Sequence, residues 1–227
     1  MRHTWMLGLC VAVGARAFAA PAAPAGAAAV TSVDLADPAG DVIKINGPGN
    51  DRDVVKLSLA SDGTSVRVSA TLTEDEHGDI AASVVDLYID TDGNAKTGGA
   101  ARWGKDATPP RQGYEYRGRL SVCLAWNENI GSCAGGPPVP PKSRHDRLEL
   151  DKFKGTVGQD IGFDTSDTVV NVTGRPAGVP LQGRLLAGAI PYAALGARPG
   201  QVLRISARET SGNGASGFFP DVLLALK

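Results

Sequence analysis

Hydrophobic and polar residues alternate along most of this chain, which is typical of β-strands that bury one face. Segments such as "VVKLSLAS" and "SVRVSATL" carry an apolar side chain at nearly every second position. No stretch of the sequence sustains the period of a helix. The predicted strands are residues 41–45, 53–61, 65–72, 81–90, 114–126, 147–153, 168–174, 183–190, 202–209 and 219–227. The pattern predicts an all-β fold, a single antiparallel β-sandwich of jelly-roll or immunoglobulin-like type with about ten strands.

Turn-forming residues separate several of these strands. Asp62-Gly63 stands between the second and third predicted strands and indicates a hairpin. In "PYAALG", Pro191 and Gly196 are placed to open and close one helical turn. The segment "GNGASG" at 212–217 matches the dinucleotide pattern G-x-G-x-x-G, but β-forming residues follow it instead of a helix. We therefore predict a glycine-rich hairpin loop there and no nucleotide site.

The N-terminal residues predict export. A basic start, an apolar stretch and the small-residue sequence "AFA" indicate a cleaved signal peptide at residues 1–19. Residues 20–32 are rich in Ala and Pro and predict a flexible lead into a sandwich domain at 33–227. No later segment is apolar for long enough to span a membrane. The expected location is therefore secreted or periplasmic.

The charge balance bears on the choice of partner. The chain has 23 basic and 24 acidic residues, and no long block of one sign. Nucleic acids and anionic membranes attract strongly basic surfaces. Neither is therefore predicted as a partner.

Two cysteines, Cys123 and Cys133, follow the predicted signal peptide. A hairpin centred on Glu128 would pair position 126 with 130 and place the two cysteines opposite each other. Disulfides form in oxidising compartments, so a structural Cys123–Cys133 disulfide is predicted. A metal site is less favoured, because no histidine lies close to them in the sequence.

The stretch "DLYIDTDGNAKTGG" at 86–99 contains the strongest candidate for metal binding. Asp90, Asp92 and Asn94 supply oxygen donors at alternate positions, and Ca²⁺ prefers such hard donors. An EF-hand is excluded, because Ala95 stands where that loop requires glycine and Ala101 where it requires glutamate. The residues alone also fit a turn in which these side chains accept backbone N–H groups. Both interpretations stay open at this point.

Catalysis is not predicted. The sequence lacks a nucleophile elbow, an H-E-x-x-H motif and a phosphate-binding loop. Among aromatic residues, Trp103 and Trp126 are the two tryptophans after the signal peptide. Indole rings stack against the apolar faces of sugars, and they also pack in hydrophobic cores. The two tryptophans are thus candidate ligand-binding residues, with core packing as the alternative.

The order of several motifs gives a resemblance to a known family. The segments are "DPAGD" (37–41), the strand pair at 50–72, "VDLYIDTDGNAKTGG" (85–99), "GYEYRG" (113–118) and "GAIPYAALGARPGQVLRISARE" (188–209). Together they resemble the DOMON-like β-sandwich superfamily, in particular exported bacterial relatives of family 9 carbohydrate-binding modules. The resemblance covers nearly all of the chain after the signal peptide.

The resemblance carries expectations about ligands. It implies a structural calcium ion bound by Asp90, Asp92 and Asn94. It also implies a glycan held between two tryptophans, a role for which Trp103 and Trp126 are available. Some members of the superfamily bind haem through a methionine. Both methionines of this chain lie in the predicted signal peptide, so Met-ligated haem is not expected.

The sequence therefore favours an exported, non-catalytic module that binds carbohydrate and carries calcium. The alternative is a structural or protein-interaction β-sandwich of the cell envelope or exterior, without a small-molecule ligand. A glycan hydrolase using paired carboxylates ranks third, because no motif supports it. The sequence specifies no protein partner.

Overall fold

The computed structural model describes residues 29–37, 54–72, 82–101, 111–123, 126–127, 132–133, 145–173, 185–211 and 214–227. Within these ranges the regular structure consists of β-strands and short 3-10 turns. The strands are Ser32–Ala36 (β1), Val54–Ser61 (β2), Ser65–Leu72 (β3), Ala82–Asp90 (β4), Gly99–Ala100 (β5), Gln112–Tyr114 (β6), Tyr116–Cys123 (β7), Trp126–Asn127 (β8), Ser132–Cys133 (β9), His145–Phe153 (β10), Ser166–Thr173 (β11), Leu185–Pro191 (β12), Val202–Ser211 (β13), Gly214–Phe218 (β14) and Val222–Ala225 (β15). No helix in the described ranges has the length and apolar character needed to cross a bilayer.

Two antiparallel sheets form a sandwich, which confirms the predicted fold class. The smaller sheet has the strand order β1-β2-β3-β12. The larger sheet has the order β11-β10-β7-β4-β13-β14, and β15 also pairs with β13. Strands β14 and β15 pair with successive parts of β13, at its C-terminal and N-terminal halves. Two further pairs, β5-β6 and β8-β9, stand outside the main sheets.

The alternation in the sequence becomes the two faces of each strand. On β4, Val85, Leu87 and Ile89 are fully buried in the core between the sheets. Strands β2, β3, β7, β10, β12 and β13 contribute apolar side chains to the same core. The intervening residues of the larger sheet, such as Asp86, lie on its outer face. That outer face carries charged residues of β4, β7, β10 and β13, whereas Glu209 of β13 lies on the core side, where its Oε1 accepts the backbone N–H of Val54 at 2.9 Å.

Most predicted strands are confirmed, with small shifts at their ends. β3 has the predicted bounds, and the turn after β12 forms a 3-10 helix, Tyr192–Leu195, followed by Gly196 in the left-handed conformation (φ 62°). The segment at 212–217, predicted as a loop, belongs for the most part to β14, which pairs with β13 as an antiparallel hairpin; residues 212–213 lie outside the described part of the chain. The predicted strand at 114–126 is divided, because Glu115 interrupts it between β6 and β7. The predicted strand at 41–45 lies outside the described residues.

Asp62 explains the tight turn between β2 and β3. Its Oδ1 accepts the backbone N–H groups of Thr64 at 3.0 Å and Ser65 at 2.8 Å, and Gly63 adopts φ 98°. Its Oδ2 accepts from Arg67 Nε at 2.6 Å. The hydrogen bond from Thr64 N–H and the one from Arg67 hold the pKa of Asp62 well below its usual range. The sequence signal for this hairpin is therefore confirmed.

The hairpin predicted around Glu128 has a different register. Trp126 pairs with Cys133, whereas the predicted hairpin pairs position 126 with 130. The difference arises because Cys123 ends β7 within the larger sheet, where its backbone partner is His145 of β10. The predicted register is wrong. The disulfide stays a prediction, because the side chains of both cysteines lie outside the described part of the protein.

A small apolar cluster covers one end of the outer face of the larger sheet. It consists of the buried residues Tyr88, Ala101, Tyr114 and Ile161, with Phe153 packed against them. The rings of Tyr88 and Tyr114 lie 5.7 Å apart. Through the cluster, the segment after β4 and the segment after β10 pack against the sheet. These two segments border the candidate sites described next.

Candidate functional site

The chain turns sharply at the end of β4. Asp90 Oδ1 accepts the backbone N–H groups of Asp92 at 3.1 Å and Gly93 at 2.6 Å. Gly93 has φ 69°, a left-handed conformation that glycine adopts without strain. The other carboxylate oxygen of Asp90 accepts from Arg204 Nη2 at 2.9 Å and Nε at 3.0 Å. Asp90 therefore serves the fold through both of its oxygens.

Asp92 and Asn94 continue the same pattern of side-chain-to-backbone bonds. Asp92 Oδ1 accepts from Asn94 N–H at 2.8 Å, and Asn94 Oδ1 accepts from Lys96 N–H at 3.0 Å. The turn that the sequence allowed as an alternative to a metal loop is thus present. It uses only part of the oxygen supply: the backbone carbonyl of Asn94 accepts the Thr97 N–H at 3.1 Å, whereas Asp92 Oδ2 accepts no backbone N–H in this turn.

Glu115, which is not among the metal ligands predicted from the sequence, completes the cluster. It lies between β6 and β7, and its Oε2 accepts the backbone N–H of Thr91 at 2.8 Å. Carboxylate oxygens of Asp90, Asp92 and Glu115 all lie within 4.8 Å of one another. The only sequence signal for Glu115 was its position within "GYEYRG". The structure joins that segment to the loop after β4.

The cluster holds more hydrogen-bond acceptors than protons. The Thr97 hydroxyl lies 2.8 Å from the Asn94 carbonyl oxygen, 3.0 Å from Asp92 Oδ2 and 3.2 Å from Glu115 Oε1. A hydroxyl has one proton to donate, so it satisfies one of these acceptors at a time. Burial, followed by repulsion from Asp92 and Asp90, raises the pKa of the Glu115 carboxyl. Both observations describe an oxygen-rich site that a cation would stabilise.

The donor set fits calcium. Ca²⁺ binds oxygens at about 2.4 Å, so oxygens up to about 4.8 Å apart can share one ion. Asp90, Asp92 and Glu115 meet this limit, and no Cys or His belongs to the group. Both oxygens of Asn94 already accept a backbone N–H, the side-chain oxygen from Lys96 and the carbonyl oxygen from Thr97, so Asn94 is a weaker candidate ligand than the three carboxylates.

A second candidate site is a groove of about 790 Å³ on the outer face of the larger sheet. The residues that line it are polar or charged. They are Arg117, Arg119, Arg147, Glu149, Asp151, Lys154, Asp164, Ser166, Asp167, Thr168 and Asn171. Its volume is within the range of about 300–1,000 Å³ that is usual for small-molecule sites. We call it the arginine groove.

Strand register places opposite charges side by side along the arginine groove. Asp86 of β4 lies opposite Arg119 of β7, which lies opposite Glu149 of β10. Glu149 in turn lies opposite Asn171 of β11. Each strand by itself shows only an alternation of charged and apolar residues. The pairing of the strands turns this alternation into a row of charged side chains.

The tryptophans predicted to bind a ligand cannot be placed at either site. Trp103 lies outside the described residues, and Trp126 belongs to β8 with its side chain outside the described part. Their role stays a prediction. Of the predicted metal ligands, Asp90 and Asp92 are brought together, and Asn94 lies beside them through its contact with Thr97.

Two features therefore characterise the protein: an acidic cluster at the end of β4 and an arginine groove across β7, β10 and β11. Comparison with protein-family models, with curated proteins and with solved structures found no significant match to this chain.

Proposed function

We propose that this protein is an exported, non-catalytic β-sandwich that binds carbohydrate. The observation that carries the proposal is the arginine groove. Arg147 Nε donates to Asn171 Oδ1 at 2.9 Å, and Arg147 Nη2 donates to Glu149 Oε2 at 2.6 Å. Guanidinium, carboxylate and amide groups fixed in this way are suited to the hydroxyl groups of a sugar, which both donate and accept hydrogen bonds.

A glycan array on the purified protein without its signal peptide tests this proposal. We expect saturable binding of at least one class of glycan. If the two tryptophans take part, Trp103→Ala or Trp126→Ala should weaken binding at least about tenfold while Tm stays unchanged, because an exposed indole contributes stacking and no core packing. A variant with lowered Tm and unchanged affinity would assign that tryptophan to the core. Absence of binding to every glycan would favour the alternative, a structural or protein-interaction module.

We also propose a structural calcium ion at Asp90, Asp92 and Glu115, with Asn94 beside them. The excess of acceptors around Thr97 favours it. Asp90 is already paired with Arg204. The carboxylates of Asp92 and Glu115 would therefore supply most of the charge that attracts the ion.

Calcium is expected to raise Tm in the wild-type protein. A ligand that binds only the folded state at a hundredfold excess over its Kd stabilises it by about 2.7 kcal/mol. Glu115→Gln should remove most of this response. Because the pKa of Glu115 is raised on folding, ionisation of this carboxyl costs stability as pH rises above the unfolded-state value. In chelator at pH 7, Glu115→Gln should therefore be as stable as wild type or more so.

Differential scanning calorimetry with calcium and with chelator measures both effects. Asp167→Asn removes an exposed carboxylate that is paired with Lys154, away from the cluster, and serves as the control that retains the response. Equal Tm values for wild type in calcium and in chelator would assign the stretch to a hydrogen-bonded turn alone.

The disulfide between Cys123 and Cys133 remains part of the proposal for an exported protein.

A further inference from the structure

The donors and acceptors of the arginine groove are unequally used. Both oxygens of Asp151 are engaged, one by Thr168 at 2.8 Å and the other by Arg117 at 2.7 Å. Glu149 Oε2 is taken by Arg147. Of the four carboxylate oxygens of Asp151 and Glu149, three therefore already accept a hydrogen bond within the protein.

Arg119 differs from its neighbours. Its Nε lies 3.5 Å from Asp86 Oδ1, and its Nη1 lies 4.0 Å from Glu149 Oε1. Neither contact is a hydrogen bond. Asp86 Oδ1 accepts no hydrogen bond from the described residues, and the distance of 4.0 Å to Glu149 Oε1 is too long for one. The side chain of Arg119 is 30% exposed, so a ligand can reach it. Within the described part of the chain, the Arg119 guanidinium is held by two charged neighbours and no hydrogen bond from it lies within the usual distance.

Arg117, which also lines the groove, has a donor group without an acceptor as well. Arg117 is almost fully buried and lines the groove, and its Nε is buried without an acceptor among the described residues. The lining as a whole carries four basic and four acidic residues. Because the two signs balance, the described lining offers no excess positive charge to a densely charged polyphosphate, whereas Arg119 can still take one carboxylate of a ligand.

We propose that the arginine groove binds the carboxylate of an acidic saccharide, a hexuronate-containing glycan, with Arg119 as the residue that contacts the carboxylate. A planar guanidinium forms two parallel hydrogen bonds with a carboxylate. The engaged side chains around it, Asn171 and Glu149 among them, then face the sugar hydroxyls. This inference rests on the proposed carbohydrate binding and names its ligand class and its site.

Isothermal titration calorimetry with oligogalacturonate tests the inference. The matched ligands are the same oligomer with its carboxyls methyl-esterified, a panel of neutral oligosaccharides, and oligoglutamate of equal charge. We expect the methyl ester to bind at least about tenfold more weakly, since a hydrogen bond to a charged group is lost. Oligoglutamate is expected to bind no better than the ester, because it lacks the hydroxyl groups.

Arg119→Lys is the matched protein variant. The substitution keeps the positive charge beside Asp86, so the fold should be retained. It removes the planar guanidinium that can form two parallel hydrogen bonds, so oligogalacturonate should bind about tenfold more weakly. Arg67→Lys, an exposed arginine paired with Asp62 at the β2–β3 turn, should leave binding unchanged. Wild-type affinity in Arg119→Lys, equal affinity for acid and ester, or equal binding of oligoglutamate would overturn the inference. If the protein binds neutral glycans and the acidic oligomer with equal affinity, carbohydrate binding stands and the inference about the carboxylate falls. If it binds no glycan, both fall.

Discussion

Replacing Asp151 by alanine is expected to lower the free energy of unfolding by about 3–5 kcal/mol. Asp151 Oδ2 accepts from Arg117 Nη2 at 2.7 Å, and each side chain is only 4% exposed. Without the carboxylate, Arg117 keeps one hydrogen bond, from Nη1 to the carbonyl oxygen of Ile161 at 3.0 Å. A buried guanidinium that has lost its hydrogen-bonded carboxylate is strongly unfavourable. Urea unfolding followed by far-UV circular dichroism measures the loss.

A matched control separates burial from ion pairing. Asp167 pairs with Lys154 at 2.5 Å, but the two side chains are 67% and 51% exposed. Asp167→Ala should therefore change the free energy of unfolding by less than about 1 kcal/mol. The double variant Arg117→Met/Asp151→Leu should recover most of the lost stability, because it leaves no charge buried. Equal losses in Asp151→Ala and Asp167→Ala would contradict a buried origin of the effect.

Gly98→Ala is expected to destabilise the protein by about 2–4 kcal/mol and to weaken the response to calcium. Gly98 has φ 63°, where a side chain adds about 1 kcal/mol of strain. A Cβ at this position would lie 2.5 Å from the carbonyl oxygen of Tyr114 and 2.8 Å from Glu115 Oε1. Relieving that overlap requires movement of the backbone that positions Glu115, which costs a further 1–3 kcal/mol or so.

Gly93→Ala provides the control for this substitution. Gly93 also has a left-handed conformation, with φ 69°, but an added Cβ would meet nothing within 4 Å. The Gly93→Ala variant should therefore lose only about 1 kcal/mol of the free energy of unfolding, from backbone strain. Calorimetry of both variants, with calcium and with chelator, isolates the steric contribution. If Gly98→Ala is no less stable than Gly93→Ala, then the close approach between Gly98 and Tyr114 does not hold the acidic cluster together.

The strands and turns of this protein could be predicted well because their signals are local. Alternation in "SVRVSATL" depends only on which face of one strand meets the core, and β3 has the predicted bounds. The same holds for the turn at Asp62-Gly63 and for the side-chain-to-backbone bonds of Asp90, Asp92 and Asn94. Each of these arises within a few residues of the chain.

The register of the hairpin after β7 could not be predicted in the same way. Symmetry about Glu128 was a reasonable guess for an isolated hairpin. In the structure β7 remains in the larger sheet up to Cys123, opposite His145, so the short pair begins only at Trp126. The register of the short pair therefore goes with the pairing of β7 and β10, which is not visible in either strand alone.

The sequence by itself determined that this chain forms β-strands, which face of each strand is apolar, and where the acidic turn after β4 begins. The tertiary structure alone decided which polar residues meet. Glu115 reaches Asp92 because the segment between β6 and β7 folds back onto the turn, and Arg204 reaches Asp90 from a strand more than a hundred residues later. Arg119 gains Asp86 and Glu149 as neighbours only through the pairing of β4, β7 and β10. A period of two residues encodes the direction of a side chain, whereas its partners depend on strand order and register, which are set by packing across the whole sheet.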